Sequence, residues 1–280
     1  MKGFESNMNQ LENQGYYNPD LVIDYAEYNV IDAYEINAYM AKVFGWMFYG
    51  LLVTVLTTVA LVLGINSSPA FAQLIETAFN LMLFIILAQF GLVIALGARV
   101  HAMHPTTAKM LFTLYAALNG LTFGLIVYFF GAYVIGMGTV VAAFGITCVS
   151  FGAMAIYGMT TKKDLTSWGS LLFVGLIGIL LAGFASMFMQ SGMLDFIVIV
   201  GGLVLFLGIV AHRTNMIKSQ YAQVILQGQN EDGTIDQYQY TLAENLAINS
   251  ALGLYLAFVN IFLRVLMILA RAKGGGGGRR

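Results

Sequence analysis

Residues 247–263 read AINSALGLYLAFVNIFL, and the apolar run that they begin continues to residue 270 with one charge, Arg264. A helix needs about 20 mostly apolar residues to cross the hydrocarbon core of a bilayer, and this run is long enough. Its polar residues Asn249, Tyr255 and Asn260 need hydrogen-bond partners there, because hydrocarbon offers none. Neighbouring helices would supply those partners, so the run predicts a spanning helix surrounded by protein.

Six further apolar runs precede this one. The chain is 59% hydrophobic and 10% charged, whereas soluble domains average about 25% charged residues. We therefore predict an all-α, polytopic membrane protein with seven spanning helices. The predicted spans are Val43–Ile65, Ala78–Ala98, Met110–Phe130, Tyr133–Tyr157, Trp168–Met189, Leu194–Ala211 and Ala247–Ala270.

Three regions follow from this assignment. Residues 1–41 form a polar, acidic N-terminal tail, residues 42–271 the seven-helix domain, and residues 272–280 a glycine-rich, basic tail. Inside the domain, residues 214–241 are predicted to form a polar loop. The density of Gln, Asn and acidic residues in this loop indicates a mobile segment.

The distribution of lysine and arginine predicts the orientation. Cytoplasmic loops are enriched in these residues. The short loops Asn66–Thr77, Gly131–Ala132 and Gln190–Gly192 hold none, so they are predicted to lie outside and the N-terminus in the cytoplasm, most simply at a plasma (inner) membrane. The basic C-terminal tail disagrees: either it is translocated or the last helix is re-entrant, and we favour seven full spans. The residues on the predicted inner side are Lys42, Arg99, Lys109, Lys162, Lys163, Arg213 and Lys218.

Enzyme and metal chemistry have little support. The sequence contains no His-Glu-x-x-His zinc motif and no Gly-x-Ser-x-Gly nucleophile motif. His101 and His104 are too few for a metal site, and the single cysteine, Cys148, allows no intrachain disulfide. The net charge of −1 gives no indication of nucleic-acid binding. We expect no catalytic residue, metal or other cofactor.

Charged residues in or beside the spans are candidates for function, since they are costly in a membrane. Arg213, Asp195 and Glu244 lie at span ends, where a side chain can also simply reach water. Arg264 lies deeper, and the better interpretation of it is a cation held inside the bundle by carbonyls or amides. In the third span, Gly120-x-x-x-Gly124 is typical of close helix packing.

Several segments together resemble the Bax inhibitor-1 family of transmembrane proteins, from the first span to the tail. The most specific is YGMTTKKDLT at residues 157–166, and the third span contributes YAALNGLT at residues 115–122. Residues 205–211 in the sixth span, and residues 254–256 with Asn260 in the seventh, continue the resemblance. It implies a fold of six helices around a buried seventh.

The resemblance also implies a function. Bacterial members are calcium-leak channels gated by pH, eukaryotic members release stored calcium and suppress cell death, and other bacterial relatives modulate a membrane-bound protease. In the leak channels, a pair of aspartates on the sixth and seventh helices is the proton sensor.

This sequence departs from the family at both sensor positions. The family's Ala-Tyr-Asp-Thr-Gln reads AHRTN at residues 211–215, so Arg213 replaces the first aspartate. The family's Leu-Tyr-Leu-Asp reads LYLA, so Ala257 replaces the second. Arginine stays protonated at physiological pH and cannot act as the switch. His212 could restore some pH response, because its unperturbed pKa is about 6.5.

Two functions remain open. The first is an ion-leak pathway for calcium or another cation around the seventh helix, lined by Tyr255 and Asn260, with Arg213, His212, Ala257 and Arg264 as the other pore or gating candidates and with altered or lost gating. The second is a non-conducting regulator that binds another membrane protein, such as a membrane protease, through the N-terminal tail and the polar loop. In both cases the bilayer is the surrounding partner.

The orientation can be tested with cysteines read by a membrane-impermeant reagent. Cysteines introduced at Ser68 and Ser191 should react from outside and one at Ser219 only from inside, while Cys148 should be shielded from water. The reason is the charge asymmetry of the short loops. Labelling of Ser219→Cys from outside would invert the topology, and a cysteine at Gly276 decides between a full and a re-entrant last span.

Overall fold

The computed structural model describes residues 33–71, 73, 75, 82–99, 102–128, 136–161, 163–189, 191–227 and 237–275. Almost all of this is helix, and no strand occurs in these ranges, which confirms the all-α prediction. The helices are α1 Ala33–Ser67, α2 Met82–Ala98, α3 Pro105–Ile126, α4 Met137–Thr160, α5 Trp168–Met189, α6 Gly192–Gln227 and α7 Gln237–Gly275.

Six of these helices are long and apolar enough to cross a membrane. The remaining one, α2, has 17 residues, the lower limit for a span. Its predicted start at residue 78 and the predicted turn at Gly131–Ala132 lie outside the described residues. Cys148 is exposed on α4, on a surface that lipid would cover. The polytopic helical architecture predicted from the apolar runs is therefore confirmed.

The C-terminal helix α7 lies at the centre of the bundle. It packs against α1, α3, α4 and α6, while α2 packs mainly on α3 and α5 mainly on α6. α7 is the most buried of the six long candidate spans, and the most apolar stretch of α5 has no buried residue. A helix that is apolar on all sides is expected to be buried. The residues of α7 that are at most 4% exposed include Ala247, Ile248, Ala251, Leu252, Leu254, Tyr255, Ala257, Phe258 and Ile261.

The prediction of a polar loop at residues 214–241 is wrong over most of its length. Helix α6 continues to residue 227 and α7 begins at residue 237. With 36 residues, α6 is roughly 54 Å long and exceeds the hydrocarbon core by roughly 20 Å. Ile217, Val224 and Ile225 are buried, at the spacing of an amphipathic helix. Because polar residues lie between these apolar positions, the average composition of the segment is polar, and the composition alone therefore predicted a loop.

The predicted N-terminal tail, residues 1–41, also ends too late in the sequence, because α1 begins at Ala33. The ring of Tyr39 stacks on that of Tyr221 in α6, with centroids 4.4 Å apart. Residues 33–42, 214–227 and 237–246 therefore lie at the same end of the bundle, which we call the extended end. At the opposite end, the predicted tail 272–280 is helical as far as Gly275.

The predicted close packing at Gly120 is confirmed. A Cβ atom at this position would lie 2.7 Å from the carbonyl oxygen of Thr54 and 2.6 Å from the Cβ of Thr57. The hydroxyl of Thr58 donates a 2.9 Å hydrogen bond to the Gly120 carbonyl. Only glycine permits this approach of α1 to α3.

Gly120→Ala should lower the stability of the detergent-solubilised protein by about 1–3 kcal/mol, since the added methyl group meets backbone that cannot move away. Gly145→Ala in α4 is the matched control, because nothing lies within 4 Å of its Cβ position. It should leave stability unchanged or raise it through helix propensity. Equal effects of the two changes in thermal unfolding would contradict the packing described for Gly120.

Candidate functional site

The loop after α4 is held by α6. A Cβ atom at Gly158 would overlap the backbone of Ala211, so the two helices are in direct contact there. The Asn215 amide donates to the Gly158 carbonyl at 3.3 Å, and its oxygen accepts from the Leu165 N–H at 3.3 Å. The Lys218 ammonium donates to the Met159 carbonyl. Two of the segments that carry the family resemblance, 157–166 and 205–211, therefore lie side by side in space.

His212 joins the same loop to α5. Its Nδ1 lies 2.8 Å from the Leu165 carbonyl oxygen. A carbonyl can only accept, so Nδ1 carries the hydrogen. The ring lies 3.2 Å from the Cβ position of Gly169, which makes room for it at the start of α5. His212 thus has a structural role between α5 and α6.

Asp164 is the carboxylate of this loop. Hydrogen bonds from the Thr166 side chain and from its backbone N–H, at 2.8 Å, lower the pKa of Asp164. It also acts electrostatically on His212. The negative charge of the loop is therefore held beside His212.

A partly open cavity of about 310 Å³ lies next to this contact, between α5, α6 and α7. It contains the side chains of Arg213 and His212, and one α7 residue, Ser250, closes it from the centre. Among the residues that the structure describes, no Asp or Glu borders it. The lining residues are Gly169, Leu172, Phe173, Leu176, Ile209, His212, Arg213, Met216, Ile217, Gln220 and Ser250.

Arg213 extends its guanidinium towards α7. The group occupies the space that a Cβ atom would fill at Gly253, one helical turn before the buried Ala257. In the described ranges, no carboxylate lies within ion-pair distance of it. The resemblance implies a pair of carboxylates at positions 213 and 257. Near these positions the structure instead places one arginine against the α7 backbone at Gly253, which has no side chain.

Tyr255 occupies the opposite side of α7. Its hydroxyl lies 2.6 Å from the Oγ1 of Thr54, which also lies 2.9 Å from the Gly50 carbonyl oxygen and 3.0 Å from that of Ala116. The single Thr54 proton is directed at these carbonyls, so the tyrosine donates to the threonine. Tyr255 is fully buried and packs edge-to-face on the rings of Phe112 and Tyr115. It borders neither of the two described cavities.

The other two α7 candidates also make local contacts. Asn260 donates to the Leu256 carbonyl of its own helix at 2.8 Å, so the expectation of a partner on another helix finds no support. Arg264 donates to the Val198 carbonyl of α6 at 2.7 Å and lies over the Phe206 ring at 5.4 Å. Its guanidinium fills the space beside Gly202. The prediction that a carbonyl holds Arg264 inside the bundle is confirmed.

The acidic candidates at the span ends form ion pairs. At the extended end, the Glu244 carboxylate lies 2.5 Å from the Lys109 ammonium and 3.9 Å from that of Lys42. At the opposite end, Asp195 pairs with Arg271 at 3.2 Å. Within the part of the chain that the structure describes, no three His, Cys, Asp or Glu side chains converge on a metal site.

Sequence reasoning missed Gly253, Ser250 and Gln220. The first two lie on the α7 face that meets Arg213 and the cavity, and Gln220 lies in the segment predicted as a loop. The available signal was the spacing of small residues in α7, since positions 250 and 253 are three apart and share a face.

The profile of the family described as "Inhibitor of apoptosis-promoting Bax1" matches residues 36–274. The chain belongs to the Bax inhibitor-1 family. It is 34% identical over 238 residues to the Inner membrane protein YbhL of Escherichia coli K12, which covers 85% of this chain and 93% of YbhL. An uncharacterized protein of Borreliella burgdorferi is 34% identical over 237 residues, covering 85% of this chain and 93% of its own length.

A further relative, from Rickettsia prowazekii, is 33% identical over 239 residues, covering 85% of this chain and 91% of its own length. The family match begins three residues after the start of α1 and ends one residue before the end of α7. The cavity and both arginines therefore lie inside the region that defines the Bax inhibitor-1 family.

The hydrogen bonds of α7 predict unequal effects of two substitutions. Tyr255→Phe should destabilise the detergent-solubilised protein by about 1 kcal/mol, as expected for a bond between membrane helices. Asn260→Leu should change stability by much less, because its bond stays within one helix. Thermal unfolding measures the stability of both variants. The control is Tyr49→Phe, because the Tyr49 hydroxyl contacts Thr113 at the exposed surface. A larger loss for Asn260→Leu than for Tyr255→Phe would contradict this arrangement.

Proposed function

We propose that this chain keeps the ion pathway of a Bax inhibitor-type leak channel but has lost its proton gating and most of its calcium leakage, because Arg213 holds a permanent positive charge in the α5–α6–α7 cavity. The observation that supports the proposal is the position of this guanidinium against Gly253, with no carboxylate among the described residues that border the cavity. Two carboxylates at such a site would share a proton near neutral pH and act as a switch. A guanidinium does not lose its proton in this range.

The charge also affects which ions could pass. A divalent cation about 5 Å from the guanidinium would be repelled by about 7 kcal/mol at an effective dielectric constant of 20. This repulsion is several times larger than thermal energy, so little calcium should pass while Arg213 is in this position. The route that we propose follows the side of α7 with Ser250 and Gly253. The Tyr255 side is tightly packed, and Asn260 borders neither described cavity.

The proposed location is the inner membrane, in line with the printed name of the relative YbhL. In this proposal the extended end lies in the cytoplasm. Lys42, Lys109, Lys163 and Lys218 lie at or beside that end, as the enrichment of basic residues in cytoplasmic loops requires. Arg271 and Lys273 lie at the opposite end, where Arg271 is paired with Asp195.

The alternative function is a non-conducting regulator that binds another membrane protein, such as a protease. The extended end favours it. At this end, the parts of α1, α6 and α7 that extend beyond the membrane-spanning segments form a helical surface where a loop was predicted. This surface contains a cavity of about 290 Å³. This cavity is bordered by the charged residues Glu35, Lys42 and Glu244.

Calcium flux into dye-loaded liposomes tests the leak proposal. Wild-type protein should show little flux and no steep pH dependence. The double change Arg213→Asp with Ala257→Asp should gain a flux that varies between about pH 6 and 8, because two nearby carboxylates titrate as a coupled pair. Each single change should fail, since Arg213→Asp supplies one carboxylate and Ala257→Asp forms a permanently ionised pair with Arg213.

A charge-matched control is the double change Arg99→Asp with Ala257→Asp, which adds the same charges at an exposed arginine outside the described ion pairs and keeps Arg213. It should show no pH-dependent flux. A steep pH-dependent flux in the wild-type protein would overturn the proposal. Absence of flux at every pH in both the wild type and the Arg213→Asp, Ala257→Asp protein would favour the regulator.

A further inference from the structure

The α5–α6–α7 cavity combines a cation with apolar walls. Leu172, Phe173 and Leu176 of α5 and Ile209 and Met216 of α6 form most of its surface. Arg213, Gln220 and Ser250 supply groups that can donate hydrogen bonds. One end of the cavity is therefore polar and much of the remainder is hydrocarbon, which suits an amphipathic molecule.

The Arg213 charge has no described counter-ion. The three described ion pairs of the chain involve Lys42, Lys109 and Arg271. Asp164, on the neighbouring loop, acts on His212 and is bonded to Thr166. The Arg213 side chain is exposed at the surface of the described bundle, and a charge that faces the membrane is costly without an anionic partner, so the cavity is complementary to a negative charge.

The cavity lies near one end of the candidate span α5, where the headgroup region of a membrane is expected. It adjoins the first two turns of α5, which begins at the exposed Trp168, and tryptophan is enriched at the membrane interface. Phe173 borders the cavity and is 64% exposed on the outer face of α5. A molecule in the surrounding lipid could therefore reach the cavity past α5.

We propose that the α5–α6–α7 cavity binds an anionic phospholipid, with its headgroup phosphate on Arg213 and part of an acyl chain along Leu172, Phe173 and Leu176. Basic pockets between membrane helices at this depth are suited to acidic headgroups. His212 is not the main ligand, because its Nδ1–H is already donated to the Leu165 carbonyl. The proposal goes beyond ion leakage and does not depend on whether ions pass.

Native mass spectrometry of the full chain in detergent, titrated with phosphatidylglycerol or phosphatidylcholine, tests this site. The wild type should bind phosphatidylglycerol with clear preference. Arg213→Gln should lower that affinity at least about tenfold, the usual effect of losing a charge-assisted hydrogen bond. Arg213→Lys, which keeps the charge, should retain part of the preference.

A second variant, Gln220→Glu, tests the site independently in case Arg213→Gln does not fold. Gln220→Glu has the same shape and adds a carboxylate to the cavity, seven residues from Arg213 on the same helix. It should abolish the preference for phosphatidylglycerol while leaving thermal unfolding in lipid-free detergent unchanged. Arg271→Gln, at the opposite end and already paired with Asp195, is the control for general surface charge and should bind as the wild type does.

Three outcomes would overturn the site. Equal binding of phosphatidylcholine would indicate a groove without charge selectivity. Competition by inorganic phosphate at the concentration of the lipid would indicate a soluble-anion site instead. An equal loss in Arg271→Gln would indicate that surface charge alone attracts the lipid.

Discussion

The hydrogen bond from Tyr255 to Thr54 links the central helix to its neighbours. Thr54 belongs to α1 and also contacts the Ala116 carbonyl of α3, so one tyrosine hydroxyl connects three helices. Such a bond is required because hydrocarbon cannot satisfy a buried phenol. The rings of Phe112 and Tyr115 close around it. With this side of α7 sealed, the cavity lies on the opposite side, towards α5 and α6.

Glycines create the space for the polar side chains of the bundle. Arg213 lies in the space beside Gly253, Arg264 beside Gly202, and the His212 ring beside Gly169. In each pair the long side chain and the glycine are on different helices. The half-buried Arg264 and the exposed Arg213 can therefore lie against neighbouring helices that remain in close contact. Three of the 31 glycines in this chain thus make room for polar side chains, while Gly120 serves helix packing.

Membership of the Bax inhibitor-1 family and the presence of Arg213 at the cavity have different consequences. The family match covers nearly all of the described fold, so the architecture is shared with its relatives. Among the described residues, the cavity is bordered by one arginine and no carboxylate. A site of this charge attracts anions and repels divalent cations. Both the proposed loss of gating and the proposed phospholipid follow from this positive charge, but they make separately measurable predictions.

The sequence by itself determined the helical membrane class and the spanning segments, because 20-residue apolar runs have few alternatives in water or lipid. It also indicated the central position of α7, through polar residues that needed protein partners. The departure at positions 213 and 257 stays a prediction from the family resemblance. The sequence did not reveal that α6 and α7 extend beyond their spans. In the α6 extension only a few positions, such as Ile217, Val224 and Ile225, are apolar, and polar residues between them give the segment the composition of a loop. Only the tertiary structure decided that Arg213 lies against Gly253, that Asn260 bonds within its own helix, and that Tyr255 is sealed. The reason is that these contacts depend on how each helix is rotated about its axis and packed on its neighbours. The spacing of residues along the chain does not determine that rotation.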